Sequence, residues 1–186
     1  MARTILDTPI TVPLHFVFRE LREGELLIPK FQRSLVWTEQ QRFTLLDSVN
    51  RGLPIGSIMV WRTARPDPLG TYQKLGRHVL RPEERPLPKG RKSYLIDGLQ
   101  RIATLFMAMH TPESNEASSP GEFEPIYYDL LYEDKLQRHS SFGFHLLKDQ
   151  NFPPPSTWVP LDSFFDPGKF QTFRRELIRQ KRDNLA

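Results

Sequence analysis

Tyr94-Leu95-Ile96-Asp97-Gly98-Leu99-Gln100-Arg101 decides how this chain is read. The short apolar run before Asp97, with aromatic and β-branched members, predicts a buried strand over residues 93–96. Asp97-Gly98 predicts a tight break. Leu99, Ile102, Leu105, Phe106 and Met109 then recur at helical spacing and predict a helix over residues 99–110. A strand that turns into a helix start leaves free backbone N–H groups and the positive end of the helix dipole facing outward, which suits an anion. Gly98 lets a ligand approach the backbone, and Arg101 adds a planar fork of donors suited to phosphate.

Outward from this turn, the other elements are read from period and punctuation. Leu14, Phe16, Val17, Phe18 and Leu21 predict a short helix ending at Gly24, and residues 26–28 a short strand stopped by Pro29. Thr38-Glu39-Gln40-Gln41 is a capping-box pattern that opens a helix over residues 38–51, closed by Gly52 and Pro54. Residues 55–61 predict a strand. Residues 63–90 carry Pro66, Pro68, Pro82, Pro86 and Pro88 and predict a long loop, with a hairpin around Tyr72 and Val79. Residues 111–122 predict a polar loop. Residues 125–131 and 142–147 predict two strands pairing antiparallel across residues 133–141, and Pro153-Pro154-Pro155 a stiff break. A charged helix is predicted over residues 170–183, with Phe170, Phe173, Leu177 and Ile178 on one side. That side calls for a partner, so the chain reads as the front part of something longer.

Bulk properties bound the rest. The 186 residues allow one domain, or one domain with a tail, and 17 prolines at 38% hydrophobic content argue for a loop-rich fold rather than a helical bundle. A net charge of +4 is compatible with nucleic acid or nucleotide and decides neither. With no cysteine there is neither a disulfide nor a zinc-thiolate site. His15, His78, His110, His139 and His145 lack metal-ligand spacing, and no Walker-type Gly-rich loop with Lys-Ser/Thr occurs. No apolar run approaches the ~20 residues that cross a bilayer, and residues 1–10 lack a signal-peptide core. The expectation is a soluble cytoplasmic protein with no membrane partner.

Three segments, taken in order and spacing, carry a family resemblance: Ile28-Pro29-Lys30-Phe31-Gln32-Arg33 with Trp37 after it; Asp47-Ser48-Val49-Asn50-Arg51-Gly52-Leu53-Pro54-Ile55; and Ile96-Asp97-Gly98-Leu99-Gln100-Arg101. Over about residues 10–165 the chain resembles the N-terminal domain of GmrSD-type restriction systems, in the ParB/sulfiredoxin-like superfamily. Trp158-Val159-Pro160-Leu161 also resembles a later element of that family. The resemblance implies an α+β fold: a small mixed sheet packed with helices, a long Pro-rich loop and a C-terminal helix. It divides the chain into a domain over residues 1–165 and the start of a helical region over residues 166–186.

The resemblance also implies a nucleotide-binding sensor or regulatory domain, an NTP hydrolase by its family, within antiphage defence against foreign or modified DNA. Its partners would be nucleotide, DNA, and a nuclease domain or subunit, since no His-Asn-His nuclease arrangement is visible here. The alternatives are a non-hydrolysing DNA-binding sensor of modified DNA, and a ParB-like nuclease. Leu99 stands where the family signature Asp-Gly-Gln-Gln-Arg has its first Gln, so the resemblance carries binding at this turn further than hydrolysis.

Each site residue has a structural reading beside the functional one. Asp97 and Arg101 are the catalytic candidates. Asp97 either coordinates Mg2+ with the NTP or caps the helix through the Leu99 or Gln100 N–H. Arg101 either holds phosphate or forms a salt bridge. Gln32, Arg33, Gly98, Gln100 and Arg101 are the nucleotide- and phosphate-binding set. Phe31, Gln32 and Trp37 are candidates for touching a base or a modification, against the readings of Phe31 as a core aromatic and Trp37 as core or lid. Asp47 and Arg51 stand i, i+4 and are expected to pair. Lys89-Gly90-Arg91-Lys92 meets either a DNA backbone or water.

Overall fold

The computed structural model describes residues 9–64, 69–76, 78–80, 91–110, 125–133, 142–146 and 153–183. Four helices are described: α1 (Leu14–Arg22), α2 (Glu39–Asn50), α3 (Leu99–Met109) and α4 (Pro167–Asp183). The strands are β1 (Leu26–Pro29), β2 (Met59–Thr63), β3 (Thr71–Tyr72), β4 (Lys74–Leu75), β5 (His78–Val79), β6 (Lys92–Asp97), β7 (Ile126–Asp129), β8 (Phe144–Leu146) and β9 (Trp158–Pro160), the last followed by a 3-10 turn, Leu161–Phe164. This is an α+β fold of small mixed sheets.

The principal sheet has the order β2-β6-β1-β3. β1 and β6 run parallel, pairing Leu26 with Ser93 and Leu27 with Tyr94. β2 runs antiparallel to β6 on one edge, and β3 antiparallel to β1 on the other. A parallel pair needs a crossover long enough to return the chain to the same end, and here α2 lies within it. The consequence governs everything that follows: β1 and β6 finish at the same edge of the sheet, so the residues after Pro29 and after Asp97 meet there. A second, three-stranded sheet has the order β8-β7-β9, and β4 pairs with β5 in a small hairpin.

α3 is the centre of the core. Nine of its eleven residues are buried, among them Ile102, Ala103, Leu105 and Phe106. A helix that is apolar nearly all round is enclosed rather than laid on a surface. Phe106 meets Phe18 of α1 edge-on at 5.4 Å between ring centroids, with His78 and His110 both at 4.9 Å. Phe43 of α2 packs 6.1 Å from Phe144 of β8, joining the second sheet to the same core. α2 carries the expected capping box: Thr38 Oγ1 accepts from the Gln41 N–H, and the Thr38 N–H donates to Gln41 Oε1 at 2.9 Å. Arg51 and Asp47 pair as expected, at 2.8 Å.

Several expectations are corrected. The strand read over residues 55–61 lies at Met59–Thr63, because Gly56 adopts φ +85° and keeps residues 52–58 in a loop. The stretch read as a long loop also supplies β3, which extends the principal sheet, while the hairpin expected around Tyr72 and Val79 is present as β4–β5, pairing Lys74 with Val79. Phe31 is not a core aromatic; it is 62% exposed. The C-terminal helix begins at Pro167, where Asp166 accepts from the Gly168 and Lys169 N–H groups at 2.9 and 3.2 Å. The second-sheet strands pair antiparallel as read, over shorter spans, and β9 joins them. The reading of residues 111–122 as a loop, and most of the 133–141 connection, fall outside the described residues.

His145 stacks on Trp158 at 4.0 Å with the rings 10° from parallel. Burial holds its imidazole below the ordinary histidine pKa, against the opposing pull of Asp129 and Glu39. A lowered folded pKa favours the neutral ring. That contribution is present above about pH 6.5, the unfolded value, and is lost as pH falls through the folded one. A His145→Gln variant should therefore lose less of its melting temperature than the parent when acidified below about pH 6.5. Truncating the central ring, Phe106→Ala, should cost about 3–5 kcal/mol by urea unfolding.

Candidate functional site

The site is the edge where β1 and β6 end together. Gln32, three residues after β1, donates its Nε2 hydrogens to the backbone carbonyls of Leu95 and Ile96, at 2.9 and 2.8 Å. Both donors of the amide are thus spent on the last turn-ward carbonyls of β6. Gln100, in the first turn of α3 and 8% exposed, does the reciprocal work. Its Oε1 accepts from the Val36 and Trp37 N–H groups at 3.0 and 3.2 Å, and its Nε2 donates to the Ser34 carbonyl at 2.9 Å. Two amide side chains therefore stitch residues 32–37 to the β6–α3 turn. The separation in sequence is more than 60 residues in each case.

At the turn itself, Gly98 takes φ +98° and occupies the N-cap position of α3 without any side-chain cap. The reading of Asp97 as the helix cap is thereby corrected: its carboxylate reaches forward instead. Arg101 Nη2 donates to Asp97 Oδ2 at 3.0 Å, and Nη1 donates to the Ile55 carbonyl at 3.1 Å. The i, i+4 pair is lopsided in exposure, with the Asp97 side chain 69% exposed and that of Arg101 20%. So the guanidinium is sheltered and the carboxylate is presented to solvent. A cation in the first turn of a helix is opposed by the dipole, and Asp97 offsets that.

The shelter is made by two glycines. A Cβ built on Gly56 would stand 2.3 Å from Arg101 Nη1. One on Gly98 would stand 3.5 Å from Nη2 and 3.1 Å from a side-chain carbon of Ile58. Both glycines have positive φ, so any other residue would be strained as well as crowded. Sequence reasoning singled out Gly98 and missed Gly56 and the Ile55 carbonyl. The signal available was a Pro-Ile-Gly run directly after a helix, which marks a turn but not its partner.

The remaining candidates fall in two groups. Phe31 and Arg33 are exposed on either side of Gln32, while Trp37 is half-buried against the core. Leu99, where the chain departs from the signature of the family it resembles, is 6% exposed and belongs to the core, so the departure lies beneath the turn rather than on its open side. Among the described residues no group of three or more His, Cys, Asp or Glu is placed to hold a metal ion. Asp97 fits Mg2+ only as one carboxylate beside phosphate oxygens, the usual sharing for that ion. No helix of the described residues is long and apolar enough to cross a membrane.

Compared with known proteins, residues 14–183 match the family described as GmrSD restriction endonuclease, N-terminal domain. Over 92 residues the chain is also 36% identical to a protein of Methanocaldococcus jannaschii described as uncharacterized, an overlap of 48% of this chain and 15% of that one. The chain thus spans a small part of that relative's length.

Removing the stitch should show in stability and in local order together. Gln100→Ala strands two backbone N–H groups and one carbonyl; a loss of about 2–4 kcal/mol in urea unfolding is expected, with faster amide exchange confined to residues 34–37. Gly56→Ala should displace the Arg101 guanidinium, read as a changed Arg101 side-chain NMR signal in a chain that remains folded.

Proposed function

Because this chain belongs to the GmrSD restriction endonuclease N-terminal domain family, we propose that it is the nucleotide-binding, sensing half of a restriction-type defence system. In this reading it works with a nuclease domain or subunit against foreign or modified DNA. The observation that supports the reading most is the Asp97–Arg101 pair: a sheltered guanidinium and an exposed carboxylate at an uncapped helix start. The free N–H groups of that first turn and the Arg101 fork would take phosphate oxygens. Asp97 would hold a hydrated Mg2+ or orient a water against the terminal phosphate. Bound Mg2+ would neutralise charge on the phosphates. Arg33 would add a second cation at the rim. Gln32, Gly98 and Gln100 would act by shape, the two amides holding the walls and the glycine leaving the approach open.

A second reading is favoured by one observation. Phe31 offers an aromatic face 62% exposed beside the site, which suits stacking on a base or on its modification. With Gln32 and Trp37 beside it, the same edge would then read DNA without hydrolysing nucleotide.

Isothermal titration calorimetry with Mg2+ and ATP or GTP separates the two. The nucleotide reading expects saturable, Mg2+-dependent binding that Arg101→Ala weakens about tenfold to a hundredfold. Asp97→Asn should remove the Mg2+ dependence while leaving the circular dichroism spectrum unchanged. Phosphate release in the same samples tests hydrolysis. No heat with any nucleoside triphosphate, together with gel shifts that distinguish modified from unmodified duplex and change in Phe31→Ala, would turn the assignment to the second reading.

A further inference from the structure

α4 carries cations of a kind that the other helices do not. Among the described residues of the helices and their caps, Arg19 pairs with Glu23, Arg51 with Asp47, Arg101 with Asp97 and Lys169 with Asp162. Arg22 and Arg42 have interaction partners as well. Arg174, Arg175 and Arg179 are the exceptions: all three are exposed, and among the described residues none has a carboxylate within ion-pair distance.

Their spacing puts them on one side. At 3.6 residues per turn the three fall within an arc of about 140°. Phe173 and Leu177, both half-buried, lie on the remaining side; Ile178, read with them from the sequence, stands exposed within the arginine arc, and the exposed Glu176 follows just beyond Arg179. The start of α4 is anchored to the 3-10 turn by Lys169 Nζ on Asp162 Oδ2 at 2.6 Å and by Phe170 against Phe164 at 6.2 Å. The arginines come after that anchor. Arg175 and Arg179 are like charges at i, i+4, an arrangement that costs an isolated helix a little stability. A polyanion laid along the helix would reverse that cost.

We infer that the Arg174, Arg175 and Arg179 face of α4 docks the phosphate backbone of duplex DNA, independent of base sequence. The two arginines four apart are separated by a rise of about 6 Å, close to two steps along one DNA strand, which carries a charge every ~3.4 Å. The guanidinium fork suits phosphate oxygens. This deepens the DNA part of the proposed function and does not depend on the nucleotide pocket.

The test is fluorescence anisotropy of the full chain with a labelled unmodified duplex, titrated across about 50–200 mM salt. Each phosphate contact adds about 0.9 to the slope of log K against log salt. Replacing all three arginines by glutamine should lower the slope by about 2 to 3 and the affinity by roughly tenfold or more in the middle of that range. Replacing all three by lysine should keep most of the slope. Arg175→Gln alone should lower it by about one, a smaller change that serves if the triple variant melts early. Arg19→Gln, at an exposed cation of α1 that belongs neither to the candidate site nor to α4, should leave the slope at its parent value. An unchanged slope in both glutamine variants, or a parent chain with no salt-dependent duplex binding, overturns the inference.

Discussion

The parallel pairing of β1 with β6 is the constraint on which the rest of this structure depends. Antiparallel strands would have sent the residues after Pro29 and those after Asp97 to opposite ends of the sheet. Running parallel, they release both segments at one edge, and the crossover between them carries α2 and the residue 52–58 loop. Three stretches far apart in sequence are thus delivered to one place before any side chain acts. Ligand sites at the carboxyl ends of parallel strands follow the same geometry in open α/β sheets. Here the parallel unit is a single pair inside a small mixed sheet.

The side chains then convert proximity into a defined shape, and they do so with neutral amides. Gln32 and Gln100 each bond to backbone groups of a distant segment, which fixes main chain to main chain. Charge is reserved for Asp97 and Arg101, in a pair that uses one carboxylate oxygen and leaves most of that side chain in solvent. Burial of the four follows their partners: Gln32, Gln100 and Arg101 are turned onto backbone groups and sheltered, and Asp97 alone is presented to solvent.

How much of this was legible in the sequence depended on whether the signal was local. The capping box at Thr38 and Gln41, the Asp47–Arg51 pair and the strand-turn-helix at Asp97-Gly98 are each written within a few residues, and each was read with the right element. β2 was displaced because Ile55 and Ile58 look like strand residues, whereas Gly56 holds its positive φ against a guanidinium that comes from α3. β3 was missed because two residues among prolines have no period of their own; they are a strand only because β1 lies alongside. The single buried face read for α3 proved to be nearly the whole helix, since enclosure comes from α1, α2 and the 3-10 turn Leu161–Phe164 together. At the site, the residue types were visible and their partners were not. A glutamine in sequence does not say whether its amide will meet a ligand or a carbonyl more than 60 residues away.

Those bracing bonds have a thermodynamic consequence. Segments that must be gathered when a ligand arrives surrender chain entropy at that moment, and the affinity is reduced accordingly. Here the bonds that tie residues 32–37 to the β6–α3 turn are made by the chain's own side chains, so the ordering cost is met during folding. A ligand taken at this edge, as proposed above, would meet a surface whose walls have little freedom left to lose. Evolution of its preferences would accordingly run through the exposed side chains of Phe31, Arg33 and Asp97, which can be exchanged without reopening the main-chain seam beneath them.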